Sequence, residues 1–214
     1  MKKIILISIL IFSFNGWAYN ETDLAKLLKN NACERCDLSE ANLSGYDFRN
    51  ANLNSADLNG ANLNYADLRN ANLRNANLSG ADLRYAKLFI ADLRGANLTS
   101  ADLTRADLRS ANLTNANLNT AKFFIAILMK TKFKNADLTN ADLNDANLSE
   151  ANLINANLTN ADLRSARLRG ANLTGANLTN ADLRGANLTK AKIFETIFCK
   201  TMESRKERND NCEE

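Results

Sequence analysis

The side chains with chemistry to offer in this 214-residue chain are four cysteines and 24 carboxylates, and no histidine accompanies them. Without imidazole there is no Ser/His/Asp triad, no Cys/His dyad and no imidazole metal site, which removes the commonest catalytic machinery. An enzyme would need carboxylates clustered off any structural register, yet Glu40, Glu150 and Glu195 are scattered. Cys33-Glu34-Arg35-Cys36 has the spacing of a redox or zinc motif. It lacks the alternating strand and helix pattern of a thioredoxin, and no second close cysteine pair completes a four-thiolate zinc site. The expectation is a protein that is not an enzyme and carries no metal or cofactor.

The element that positions these residues is a five-residue repeat running without insertion or deletion over 36–200, as in Ala51-Asn52-Leu53-Asn54-Ser55. Every fifth residue from Leu38 to Phe198 is apolar: 28 Leu, four Phe (Phe48, Phe123, Phe133, Phe198) and Ile193. Two residues earlier the residue is Ala in 29 of 33 units, the exceptions being Cys36, Tyr46, Thr131 and Thr196. On an α-helix a step of five advances about 500°, so the leucines would spiral around every side. In a continuous strand an odd step sends successive leucines to opposite faces. The chain must therefore turn once per unit, with Asn, Asp, Ser, Thr and Gly as turn residues, so that Leu and Ala face a common axis. The absence of proline agrees with strands that need every backbone N–H.

Residues 1–18 carry Lys2 and Lys3, an apolar run of 11 residues from Ile4 to Phe14, and Asn15-Gly16-Trp17-Ala18. This is the plan of a secretory signal peptide, with cleavage expected after Ala18. The run is short of the roughly 20 residues that span a bilayer, so no transmembrane anchor is expected after its removal. The mature chain is expected to be exported, to the periplasm or the extracellular medium. Residues 19–35 follow as a cap and cysteine linker: Asn20 to Asn30 reads as a short amphipathic helix, with Leu24, Leu27 and Leu28 at spacings of three and four covering the first repeat. Residues 201–214 form a polar tail.

Units of the form Ala-(Asp/Asn)-Leu-x-x in unbroken tandem resemble the pentapeptide repeat family. The resemblance implies an all-β fold, a right-handed quadrilateral parallel β-helix with one unit per side and four per coil. Slightly more than eight coils, stacked about 4.8 Å apart, give a rod roughly 40 Å long. Cys33 and Cys36 then lie at one end and Cys199 and Cys212 at the other, too far apart to cross-pair when a disulfide needs Cα atoms within about 7 Å. Disulfides Cys33–Cys36 and Cys199–Cys212 are expected, as secreted members resemble this chain in placing cysteine pairs before the first repeat and after the last. The tail lacks the Pro-Asp-Gly turn associated with the second pair in those relatives.

Units four apart share a side, so outward residues stack in columns of step twenty. Asp47/Arg49, Asp67/Arg69 and Asp107/Arg109 line one side and Asp82/Arg84, Asp162/Arg164 and Asp182/Arg184 another, as exposed pairs that serve solubility. A third side carries Ser39, Asn59, Ser79, Thr99, Asn119, Thr139, Thr159 and Thr179 beside a column of Asp and Asn from Asp37 to Asn177. That flat polar face offers a ladder for a regular polymer such as an envelope or extracellular glycan. The strongest departure from the repeat is Lys122 to Lys134, where Phe124, Ile125, Ile127 and Met129 take outward positions. Phe89 and Ile90 belong with them, Phe89 sharing a column with Met129 two coils away. An exposed apolar cluster of this kind marks a contact surface. Omitting Lys2 and Lys3, the chain has 25 basic and 24 acidic residues, a balance with no signature for nucleic acid and unlike the acidic rod of the family's DNA-mimicking members. The expected role is an exported structural or protein-interaction scaffold with an unidentified protein partner, self-association included; the alternative is polymer binding through the polar face.

Overall fold

Each five-residue unit forms one short side and one turn, and four units bring the chain back to the same side one rung along. In the computed structural model, which describes residues 19–203, 206–208 and 212, parallel bridges join residues twenty apart, from Ala32↔Asn52 to Asp182↔Met202. The result is a right-handed, four-sided β-helix. The backbone bonding within one unit accounts for the repeat. The Leu53 amide donates to Asn72 O at 2.8 Å and the Ser55 amide to Arg74 O at 2.7 Å, while Asn72 N returns a bond to Ala51 O at 2.9 Å. Ala56 N closes the corner on Leu53 O at 3.1 Å. Nearly every amide is committed, which is why a proline anywhere in the rod would orphan a partner.

The interior is a single file of large and small side chains. From Leu38 to Leu183 the central residue of every unit is buried, and so are the alanines two residues before them. Thr131 and Thr196 occupy alanine positions and remain fully buried because their hydroxyls donate to Leu108 O at 2.7 Å and Leu173 O at 2.8 Å. Tyr46 is too large for such a position. It stands 37% exposed, outside the tube, with its ring stacked 5.6 Å from that of buried Phe48.

The last residue of each unit turns the corner in the left-handed region, with φ between +52° and +75° from Arg35 to Lys200. Asn, Gly and Ser are the commonest residues there, and Asn and Gly enter this region at low cost. Ile90 (φ +61°) and Ile125 (φ +57°) sit at the same kind of corner with β-branched side chains, for which it is a strained conformation.

The rod extends beyond the sequence frame at both ends. Cys33 N donates to Asn52 O and Arg35 N to Asn54 O, so residues 31–35 already form a side, with Cys33 in the position leucine holds elsewhere. The expected start at residue 36 is therefore one unit late. At the far end Thr201 is buried with its hydroxyl on Leu178 O, and Met202 pairs with Asp182, so the coil continues past 200 into β1 (Thr201–Glu203). β1 pairs antiparallel with β2 (Lys206–Arg208). The last full coil is less covered than the rest: Leu188 is half-buried, and Ile193, a core position in the repeat, is 40% exposed. Residues 1–18 lie outside the described residues. No helix among the described residues is long and apolar enough to cross a membrane.

The first coil is covered by α1 (Glu21–Asn30), whose N-cap Asn20 accepts from the amides of Thr22 and Asp23. Asn20 N reaches Asp37 O and the Asp23 carboxylate accepts from Asp37 N at 2.9 Å, fixing the helix across the open end. Leu27 is buried and Leu24 packs against the core, whereas Leu28 is exposed and takes no part in the cap, correcting the sequence reading. Replacing Leu27 with Ala is expected to cost about 2–5 kcal/mol in denaturant unfolding. Leu28→Ala is expected to stay within about 0.5 kcal/mol, and equal losses would show that the helix does not seal the rod in this orientation.

Candidate interaction surface

The side made by residues 66–70, 86–90, 106–110 and 126–130 differs from the other three in what it displays. Its leading corner is the column Tyr65, Tyr85, Arg105, Ile125. The Tyr65 and Tyr85 rings stack at 4.8 Å between centroids with 7° between planes, because the coil spacing holds successive side chains of a column at stacking distance. Arg105 lies over the other face of Tyr85, 5.8 Å from its centroid, and its guanidinium donates to the Tyr85 hydroxyl at 3.2 Å. On the flat of the same side Arg109 covers Phe89 at 5.5 Å.

Between these two rows runs a groove of about 650 Å3 lined by Tyr65, Arg69, Tyr85, Lys87, Phe89, Arg105, Asp107 and Arg109. Arg69 is engaged by Asp67 at 2.5 Å and Arg109 by Asp107 at 2.6 Å. Lys87 and Arg105 are exposed and have no carboxylate within 4 Å among the described residues. Burial pushes Asp107 up, but hydrogen bonds and charge from Arg109 outweigh it and hold the carboxyl below its ordinary value. The groove is thus cationic at neutral pH.

Immediately along the rod lies the apolar cluster anticipated from the sequence. Ile125 and Ile127 are 39% and 38% exposed, and Phe124, just around the corner, is 37% exposed. Met129 and Phe89 are half-buried, so the patch is recessed along its centre, and Ile90 stands 50% exposed at the trailing corner. Phe124 owes its outward position to the repeat register, while Phe123 beside it points inward against Phe133 in an edge-to-face contact at 6.3 Å. Phe89, Ile90, Ile125, Ile127 and Met129 share the side that holds the groove, with Arg109 between Phe89 and Met129, and Phe124 stands on the preceding side beside Ile125. Tyr65, Tyr85, Lys87 and Arg105 were not singled out in the sequence, although the step of twenty that linked Phe89 to Met129 links them too.

The polar side has a different character. The hydroxyls of Ser39, Thr99, Thr139, Thr159 and Thr179 donate to the carboxylate or carboxamide two residues earlier, at 2.5–2.7 Å. Asn77 and Asn97 donate along the column to Asp57 and Asn77 at 2.9 and 3.2 Å. Its Thr and Ser hydroxyl donors are largely engaged within the rod, while its Asn carboxamides keep N–H donors for other groups.

The two cysteine pairs sit at opposite ends, Cys33–Cys36 with Cα atoms 5.3 Å apart and Cys199–Cys212 with 4.9 Å. Asp23 lies beside the first pair, but sulfurs joined in a disulfide are not thiolate ligands.

A family model described as pentapeptide repeats matches residues 33–64, 61–88, 91–123, 126–164 and 161–198. Among solved structures, HetL, a pentapeptide repeat protein involved in heterocyst differentiation regulation from the cyanobacterium Nostoc sp. strain PCC 7120, is 30% identical over 86% of this chain and 97% of its own, with a TM-score of 0.37. Rfr23 from the cyanobacterium Cyanothece 51142 is 24% identical over 86% and 98%, with a TM-score of 0.36. QnrB1, a plasmid-mediated fluoroquinolone resistance protein, is 18% identical over 72% and 87%, with a TM-score of 0.47. No curated protein matches the chain.

Asp/Arg pairs recur on the remaining surface within single units, including Asp92/Arg94, which the sequence reading passed over. Side-chain hydrogen bonds from Arg49 hold Asp47 at about 2 against the opposing effect of burial; Asp67, Asp82, Asp92, Asp162 and Asp182 are lowered chiefly by the same kind of bond. A carboxyl lowered on folding from about 3.9 contributes stability above that value and loses it as pH falls through the folded value. The thermal midpoint is expected to be flat from pH 7 to about 5 and to fall between about pH 4 and 2. A fall beginning near pH 6 would show that other groups control acid unfolding.

Proposed function

The chain belongs to the pentapeptide repeat family, and from that premise we propose that it is an exported, non-enzymatic scaffold that engages a protein partner through the surface from Tyr65 to Met129. The observation that carries this reading is the placing of Ile90 and Ile125. Both are β-branched aliphatic residues held in left-handed corners where Asn, Gly and Ser are the commonest residues, and both expose their side chains. Backbone strain and apolar exposure each oppose folding or solubility, so their coincidence at two neighbouring corners speaks for a contact made by these side chains. Ile127, Met129 and Phe124 continue the same surface.

Export rests on the leader-like composition of residues 1–18 and on two cysteine pairs at bonding distance, which suit an oxidising compartment. Native protein recovered from the envelope or medium is expected to have no reactive thiol, and four reactive thiols would overturn the export reading.

Ile125→Asn removes the strained branch and the apolar contact together. It is expected to raise unfolding stability by about 1 kcal/mol while reducing capture of the partner by crosslinking in envelope and culture-medium fractions. Phe124→Ser with Met129→Ser should abolish capture with folding intact. Unchanged capture by both variants would sink the proposal, and retention of the wild-type chain on a glycan array would favour polymer binding instead.

A further inference from the structure

Resting on that interaction reading, we propose that the surface recognises an extended peptide segment carrying an acidic cluster followed closely by large aliphatic side chains. Lys87 and Arg105 supply positive charge without a carboxylate within 4 Å among the described residues, while Arg69 and Arg109, which also line the groove, are already engaged by Asp67 and Asp107. A groove with this imbalance attracts carboxylates and repels cations.

The aromatic rings decide between a peptide and a ring-bearing polymer. Tyr85 is sandwiched between Tyr65 and Arg105, and Phe89 is covered by Arg109. Sugar rings and nucleobases bind by stacking on open aromatic faces; Tyr85 has both faces engaged and Phe89 one, while Tyr65, at 59% exposure, keeps a face toward Gly45, the preceding position of its column. What the groove otherwise presents are ring edges, which carry the positive end of the aromatic quadrupole, together with cationic groups. Both suit an anion.

The apolar half supplies the second requirement. Ile125 follows Arg105 by one coil and Ile127 follows Lys87 by two, a separation of about 5–10 Å along the rod. An extended peptide advances about 3.3 Å per residue, so aliphatic side chains two or three residues beyond the acidic ones would reach Ile125, Ile127 and Met129. An acidic polysaccharide and a nucleic acid both carry negative charge, but neither has aliphatic side chains for this half.

The test uses the disulfide-intact protein and a fluorescein-labelled peptide in which two glutamates precede two leucines with one serine between, read by fluorescence anisotropy. Binding is expected to weaken about tenfold or more when glutamine replaces glutamate in the peptide, when Lys87→Gln is combined with Arg105→Gln, and when ionic strength rises from about 0.05 to 0.5 M. Arg164→Gln, on another side, should leave it unchanged. Absence of binding, equal affinity for the glutamine peptide, or displacement by polygalacturonate at lower concentration than by unlabelled peptide would overturn the proposal. The crosslinking assay separates the two readings. Capture that depends on Phe124 and Met129 but survives Lys87→Gln with Arg105→Gln would leave the interaction surface standing and remove acid recognition, whereas capture indifferent to all four would remove both.

Discussion

The bore of the coil admits one large and one small apolar side chain per unit, and the rest of the molecule depends on that limit. Leu and Ala alternate inward because two large residues cannot share a side of this tube. Where the rule is broken the consequence is visible. Thr131 is accommodated because it is nearly isosteric with a small apolar residue and its hydroxyl finds Leu108 O, whereas Tyr46 is driven outside. Burial in so narrow a core contributes substantially per residue, but it fixes two positions in five and removes them from any role at the surface.

The corners impose a second limit on the residues left over. Every unit ends in a left-handed residue, so outward chemistry is written in side chains compatible with that turn or in the two positions flanking the central leucine. This explains the monotony of the polar side, where an Asx oxygen accepts from the amide and the hydroxyl two residues on. A surface built of locally satisfied groups interacts weakly with other molecules. Departures such as Ile90, Ile125, Tyr65 and Tyr85 oppose this tendency, and their grouping on one side gives the rod a direction in which to bind.

That the chain turns once per unit and buries Leu and Ala was legible because a period of five excludes both regular alternatives, whereas the right-handed, four-sided path came from the family resemblance, and Tyr46 and Ile193 depart from the inward pattern. The ends were less legible. Cys33 occupies a leucine position, yet a cysteine there breaks the composition by which units were counted, so the first side was read as linker until its amide was seen to bond Asn52 O. Leu28 satisfied the helical spacing as well as Leu27 did, and only the angle at which α1 crosses the coil separates them. At the candidate surface the apolar residues stood out against a polar background, but Tyr65, Tyr85 and Arg105 lie 20 residues apart in successive coils of one corner and acquire meaning only as a stack.

Stacking also accounts for why a repeat scaffold can hold such a surface without a folded cavity. In a globular site each side chain is positioned by its own packing neighbours, whereas here the coil spacing brings residues of one column to about 4.8 Å whatever their type. Two tyrosines placed twenty residues apart must meet face to face, and an arginine placed in the next coil must cover the second ring. Rigid backbone therefore does the work of preorganisation, and the entropy cost of ordering a binding surface is met during folding of the rod and not on contact with a partner. Recognition on such a surface changes by substitution at single corner or flat positions, since the hydrogen bonds that hold one coil to the next run through the backbone and are indifferent to the side chain displayed.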